Sequence, residues 1–267
     1  MRQFSVEYLE ATRAGMWEES REALADLDLP GRNRILDVGA GTGEFTRILR
    51  EETTAQVVAM DADTELLAHV DAPRVAGDAT RLPFGDGSFD LVVCQALLVN
   101  LPDPSEALRE FVRVSSDRVA VVEPANDEVT IESTVDDEPA LARRARELYL
   151  QGVATDAALG DASELLEAAG LESVTVRRHD HVQTVEPPYS EQALESARRK
   201  ATGAGIESDR ETLLESGLSP DSFDALRQNW RAMGRDVVEQ MREKRYQQRE
   251  VVPFYVTTGR VPNAEMM

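Results

Sequence analysis

Three glycines at alternate positions, Gly39, Gly41 and Gly43, follow an acid inside an apolar run, Asp37, and a second acid, Asp61, ends the next such run. Glycine lets a chain turn sharply and brings a ligand against bare main chain, where any Cβ would intrude. The unpaired N–H groups of a helix opening at that turn then face the ligand. Asp37 can accept hydrogen bonds from a ligand amine or from loop N–H groups, and an acid at position 61 is placed to hold two ribose hydroxyls. The chemistry is that of a nucleoside-containing ligand gripped at a strand-to-helix turn. Taken alone, the same glycines also fit an ordinary tight turn capped by acids.

The elements that must position these groups can be read on either side. Arg34 to Val38 is aliphatic enough for a buried parallel strand, and a helix with apolar Phe45, Ile48 and Leu49 is expected from Thr42. Gln56 to Met60 is the second apolar run. Val75, Ala76 and Gly77 read as a short strand ending at Asp78 and Ala79, and Gly85-Asp86-Gly87-Ser88 is a turn by composition. Phe89 to Ala96, FDLVVCQA, is a further strand. Asp103-Pro104-Ser105-Glu106 gives a capping acid, a proline at the first helical position and a glutamate three residues on from the cap, so a helix is expected there. Arg118 to Val122 is the next strand, with Glu123-Pro124 at its ligand-facing end.

Glycine spacing separates two nucleotide cofactors. A dinucleotide fold wants G-x-G-x-x-G, whose third glycine falls where this chain has Glu44, and a glutamate beside a pyrophosphate is repelled. The order and spacing from Arg34 to Pro124 resemble instead the class I S-adenosylmethionine-dependent methyltransferases, whose first motif looks like the DVGAGTG seen here. The resemblance implies a Rossmann-like, doubly wound α/β sheet of seven strands, mostly parallel with an antiparallel last strand. It implies S-adenosyl-L-methionine as cofactor, held by Asp37, Gly39, Ala40, Gly41, Gly43, Asp61, Ala62, Asp78, Ala79 and Gln95. Small-molecule members, quinone methylases among them, often carry histidine where this chain has Val99 or Asn100, so no catalytic histidine is carried over and the catalytic residues are unassigned.

Methyl transfer is an in-line displacement, so the protein mainly positions two reactants and excludes water. His69, expected in a helix, and His179 and His181, expected after a later strand, read as surface or structural residues. Tyr149, Tyr189, Trp230, Tyr246 and Tyr255 can line a pocket for a cationic donor, or serve as core residues. The expectation is methyl transfer to a small-molecule acceptor. The alternatives are a catalytically inactive S-adenosylmethionine-binding regulatory or scaffolding subunit and a nicotinamide-dependent oxidoreductase.

Three segments organise the chain. Val6 to Leu27 has broadly helical spacing, which predicts a helix; the methyltransferase resemblance implies that it closes over cofactor and substrate as an N-terminal helical lid over residues 1–33, with Tyr8, Arg13, Met16 and Trp17 as substrate or lid residues, while the same aromatics can equally anchor a packed helix. Residues 34–189 and 246–267 form the expected cofactor-binding core. Between Pro124 and Asp161 the pattern is acidic and then helical from Ala140, Ala162 to Ala169 is a helix ended by Gly170, and Ser173 to Arg178 alternates as a strand. Residues 190–245 are a helical insertion, broken near Gly203 and Ser219-Pro220 and expected to cover the substrate, before a last strand from Val251.

At 267 residues the chain can bury a full core. It has no apolar stretch of membrane-spanning length, and MRQFSVEYLEATR carries no apolar signal core, so a soluble cytoplasmic protein is expected. Cys94, the only cysteine, excludes an internal disulfide and a cysteine-rich metal site, and no metal is expected. A formal charge of −21 with only Lys200 and Lys244 as lysines resembles the proteins of extreme halophiles, where salt screens self-repulsion. The basic clusters are short and have acids nearby, which weighs against nucleic acid as a partner. Oligomeric state is not legible.

Overall fold

The computed structural model describes Met16, Trp17 and residues 20–262. Its strands are β1 (Arg34–Val38), β2 (Gln56–Asp61), β3 (Arg74–Ala76), β4 (Phe89–Gln95), β5 (Ser115–Pro124), β6 (Thr130–Ser133), β7 (Glu172–Val185) and β8 (Gln248–Arg260). Its α-helices are α1 (Glu44–Glu52), α2 (Thr64–Leu67), α3 (Pro104–Val114), α4 (Glu138–Gly152), α5 (Ser163–Ala168), α6 (Glu191–Thr202), α7 (Ala204–Ser208), α8 (Arg210–Glu215) and α9 (Pro220–Arg242). Two compact units divide the chain. The first takes the described residues up to Ala125, Leu159–His179 and those from Phe254 on; the second takes Asn126–Ala158 and Asp180–Pro253.

The first unit carries the expected Rossmann-like sheet, in the order β3-β2-β1-β4-β5-β8 with β7 also paired to β8. β1 pairs in parallel with β2 and β4, β2 with β3, and β4 with β5. β8 closes it antiparallel to β5, setting Val121 opposite Thr257 and Glu123 opposite Tyr255.

Side chains alternate across a strand, and here both faces are covered. Ile35, Leu91, Val93, Ala120 and Val122 pack with Trp17, Leu24, Leu27 and the α1 residues Phe45, Ile48 and Leu49. Leu36, Val38, Val92, Cys94, Val119 and Val121 pack against α3 and α5 through Leu108, Phe111, Val114 and Leu166. Burying a side chain such as Phe111 contributes about 1.5–3 kcal/mol. α3 starts where its cap predicts, with Asp103 Oδ1 accepting the Ser105 N–H at 2.9 Å.

Two details depart from the sequence reading. α1 begins at Glu44 rather than Thr42, because Gly43 sits in the left-handed region at φ 86° and caps the helix. The described part of the N-terminal segment is a 3-10 helix, Arg21–Leu27, ended by Asp28 at φ 52°. Tyr8 and Arg13 lie outside the described residues.

The second unit contains the whole 190–245 insertion together with residues 126–158, since Leu148 of α4 shares a core with Ile206, Leu213, Phe223 and Leu226. It also contains β6, a strand the acidic stretch after Pro124 did not announce, paired antiparallel with Gln248–Val251 of β8. α6 ends at Gly203 and α9 starts at the Ser219 cap, as the breaks predicted. Glu138, 1% exposed, is matched inside this unit by Lys200, by the Tyr246 hydroxyl donating at 2.8 Å and by Ser133 Oγ at 2.6 Å. Tyr246 is therefore a core residue whose hydroxyl has a protein partner. No helix among the described residues is long and apolar enough to cross a membrane.

α9 crosses α6 at Gly234, where a Cβ would lie 2.3 Å from both the Ala201 nitrogen and the Lys200 carbonyl carbon. Alanine gains about 1 kcal/mol over glycine in a helix, but overpacking against main chain costs about 1–3 kcal/mol. Gly234→Ala is predicted to lower the thermal unfolding midpoint, by calorimetry; a raised midpoint would show that the helices separate freely.

Candidate functional site

Parallel strands put their C-terminal ends on one edge, and the sequence-predicted residues of the first unit gather there. The Gly39 and Ala40 N–H groups both donate to the Met60 carbonyl, at 2.8 and 3.0 Å. One residue on, the Gly41 N–H donates to Asp61 Oδ2 at 2.7 Å. The loop from β1 is thus tied to the end of β2 by three successive amides. Gly39, Gly41 and Gly43 have φ of 73°, 55° and 86°, a region that favours glycine.

At two of them the space a Cβ would need is filled by the protein itself. A Cβ at position 39 would lie 3.0 Å from Leu97 Cδ1, and one at position 43 would lie 2.8 Å from Val70 Cγ2. Gly39 and Gly43 therefore serve close packing as well as the turn.

Asp61 is half-buried, and each of its oxygens already accepts one main-chain hydrogen: Oδ2 from Gly41, Oδ1 from Asp63 N at 2.8 Å. A carboxylate offers about four lone-pair sites, so each oxygen keeps capacity for a further donor. Asp63 in turn caps α2, and Ala62 is exposed between the two acids. Asp37, 1% exposed, accepts the Thr46 hydroxyl at 2.5 Å, which joins the end of β1 to the first turn of α1.

The next strands bring the remaining residues to this edge. Gly77 N–H donates to the Asp61 carbonyl at 3.0 Å, seating the segment that carries Asp78 and Ala79. Asp78 is exposed and accepts the Thr80 N–H and hydroxyl at 2.9 Å; Ala79 is buried. The loop that follows is held from α3. Arg113 donates to the carbonyls of Phe84 and Leu82 at 2.8 and 3.1 Å, while Glu110 accepts the Leu82 N–H at 2.8 Å. The Arg113 guanidinium holds the Glu110 carboxyl below its usual range.

Gln95, at the end of β4, is buried between Met16 and Trp17: its oxygen accepts the Trp17 indole N–H at 3.4 Å and its amide lies 3.1 Å from Met16 Sδ. Trp17 stacks on Phe45 with centroids 5.0 Å apart. Cys94 is a core thiol, pushed up by burial and by the Glu123 carboxylate. His179, within β7 rather than after it, stacks on Phe254 at 5.6 Å, and His181, also within β7, is buried.

Residues 36–121 match the family model described as a methyltransferase domain. The chain is 44% identical over 99 residues to the demethylmenaquinone methyltransferase of Mycolicibacterium vanbaalenii, a match that spans 36% of this chain and 42% of that protein. The same enzyme of Mycobacterium tuberculosis is 45% identical over 89 residues, covering 32% of this chain and 37% of the relative. The chain thus spans less than half the length of the curated relatives it matches. Among solved structures, the YcgJ protein of Bacillus subtilis is similar with a TM-score of 0.53 at 16% identity, covering 91% of this chain and 100% of that one, a likeness of fold.

The residues at this edge have the chemistry to hold S-adenosylmethionine. Asp61 has acceptor capacity on two oxygens for two vicinal hydroxyls, Ala79 offers an apolar surface to a base, and the glycine loop leaves main chain rather than side chains at the turn. Sequence reasoning did not foresee the turn after β4, where Ala96 takes φ 49° and its carbonyl accepts the Asn100 amide at 2.8 Å. A non-glycine residue in the left-handed region has no signature in an apolar strand.

Asp61→Ala is predicted to weaken S-adenosylmethionine binding by about 1–3 kcal/mol, the range for charge-assisted hydrogen bonds. Calorimetric titration checks this, and an unchanged affinity would remove Asp61 from the site.

Proposed function

We propose that the chain transfers a methyl group from S-adenosylmethionine to a small-molecule acceptor. The observation that carries this reading is the Asp61 carboxylate, fixed by the Gly41 and Asp63 N–H groups with an acceptor position left on each oxygen. When bound, S-adenosylmethionine supplies an electrophilic methyl group on a sulfonium.

The chain's own residues then act by holding and positioning. Asp61 binds the ribose hydroxyls, and the glycine loop admits the adenosyl group beside the main chain. Asp37 sets the angle between β1 and α1 through Thr46 and so fixes the loop between them. Asp78 and Ala79 flank the adenine, Gln95 marks the end of β4, and Met16 and Trp17 belong to the lid we assign to residues 1–33. Choice of acceptor we assign to residues 190–245, which lie outside the segment 36–121 matched by the methyltransferase family model. No fixed general base is needed unless the acceptor must lose a proton.

The test is incubation with methyl-labelled S-adenosylmethionine and a panel of acceptors, demethylated quinones, phenols and amines, beside titration with NAD. Labelled product from at least one acceptor and no NAD binding are expected. Binding of NAD in preference, or tight S-adenosylmethionine binding with no product from any acceptor, would contradict the proposal.

A further inference from the structure

Glu123 is a fully buried carboxylate near the end of β5. Its Oε1 accepts the N–H groups of Leu97 and Leu98 at 3.1 and 2.9 Å, its Oε2 lies 3.3 Å from the Val99 nitrogen, and Cys94 Sγ is 3.8 Å from Oε1. Three consecutive amides converging on one acid form a nest for an anion, supplied here by the protein itself. Hydrogen bonds to an ionised acceptor are the strong ones, and a buried acid is tolerable only when so satisfied. An acid in an apolar core thus holds the turn at residues 97–99.

That turn is joined to the cofactor edge. It follows Ala96, whose φ of 49° an alanine rarely adopts. Ala96 is pinned on its other side by its own N–H, which donates to the Val122 carbonyl at 2.8 Å. Leu97 then rests on the glycine loop, filling the space a Cβ at Gly39 would take. Removal of the Glu123 charge frees the turn to relax, and Leu97 loses its fixed place against Gly39.

We infer that Glu123 is a positioning residue for S-adenosylmethionine: through the amides of Leu97–Val99 it presses Leu97 onto Gly39 and holds the glycine loop in its binding shape. The inference deepens the function proposed above and rests on it for the identity of the ligand, while the clamp itself is a property of the chain alone.

The test is a double-mutant cycle of Glu123→Gln and Leu97→Ala in the full chain. It reads S-adenosylmethionine and S-adenosylhomocysteine affinity by calorimetry, thermal midpoint, and amide hydrogen exchange at residues 39–41 and 97–99. Each single variant is expected to weaken cofactor affinity by about three- to thirtyfold and to speed exchange at residues 39–41. The double variant should be little weaker than either single one, since both break the same linkage. A role confined to stability would lower the midpoint while leaving affinity of the folded protein and exchange at 39–41 unmoved, and that result overturns the inference, as do strictly additive losses. Should Glu123→Gln fail to fold, Leu97→Ala alone decides by the same exchange readout. If the wild-type chain binds neither compound, the proposed function fails, and exchange at 39–41 in the variants still decides whether the clamp exists.

Discussion

One carboxylate ties together the C-terminal ends of two parallel strands. Asp61, at the end of β2, accepts the Gly41 N–H from the loop after β1 and the Asp63 N–H that begins the turn into α2. Parallel neighbours cannot be linked by a short hairpin, so α1 must cross between them and both strands end on the same edge. The register of β1 against β2, from Arg34 on Gln56 to Val38 on Met60, then sets the distance between loop and acid. Every other feature of the site is arranged around that fixed pair.

The surrounding packing explains how a glycine-rich loop keeps its shape. Phe45, Ile48 and Leu49 seat α1 on one face of the sheet, and Asp37 ties the end of β1 to Thr46 in the first turn of that helix. Val70 fills the space beside Gly43 and Leu97 the space beside Gly39, so the two glycines are in contact with core side chains. The loop is therefore held by packing against Leu97 and Val70 as well as by its hydrogen bonds, the preorganisation that binding without large reorganisation requires.

Much of this was legible in the sequence because the signals are local. The alternate glycines, the acids closing two apolar runs and the Asp103-Pro104 cap each act within a few residues, and the strands and helix they announce are present. What was not legible depends on long-range packing. The helical insertion draws α4 into its own unit because Leu148 meets Leu213 and Phe223, partners about 65 or more residues away that no local pattern connects. β6 is four residues, Thr130–Ser133, in an acidic stretch, and exists through its pairing with β8. Glu123 reads in sequence as the polar end of a strand; only the folded chain turns its carboxylate onto the amides of residues 97–99.

In the function proposed above, the glycine loop and Asp61 grip an adenosyl ribose. Crystals of the chain soaked with S-adenosylhomocysteine test it most directly. Density is expected at the C-terminal edge of β1 and β2 with both ribose hydroxyls within hydrogen-bonding distance of the Asp61 oxygens; an empty edge beside a ligand bound elsewhere, or a ribose held by other residues, would exclude this grip.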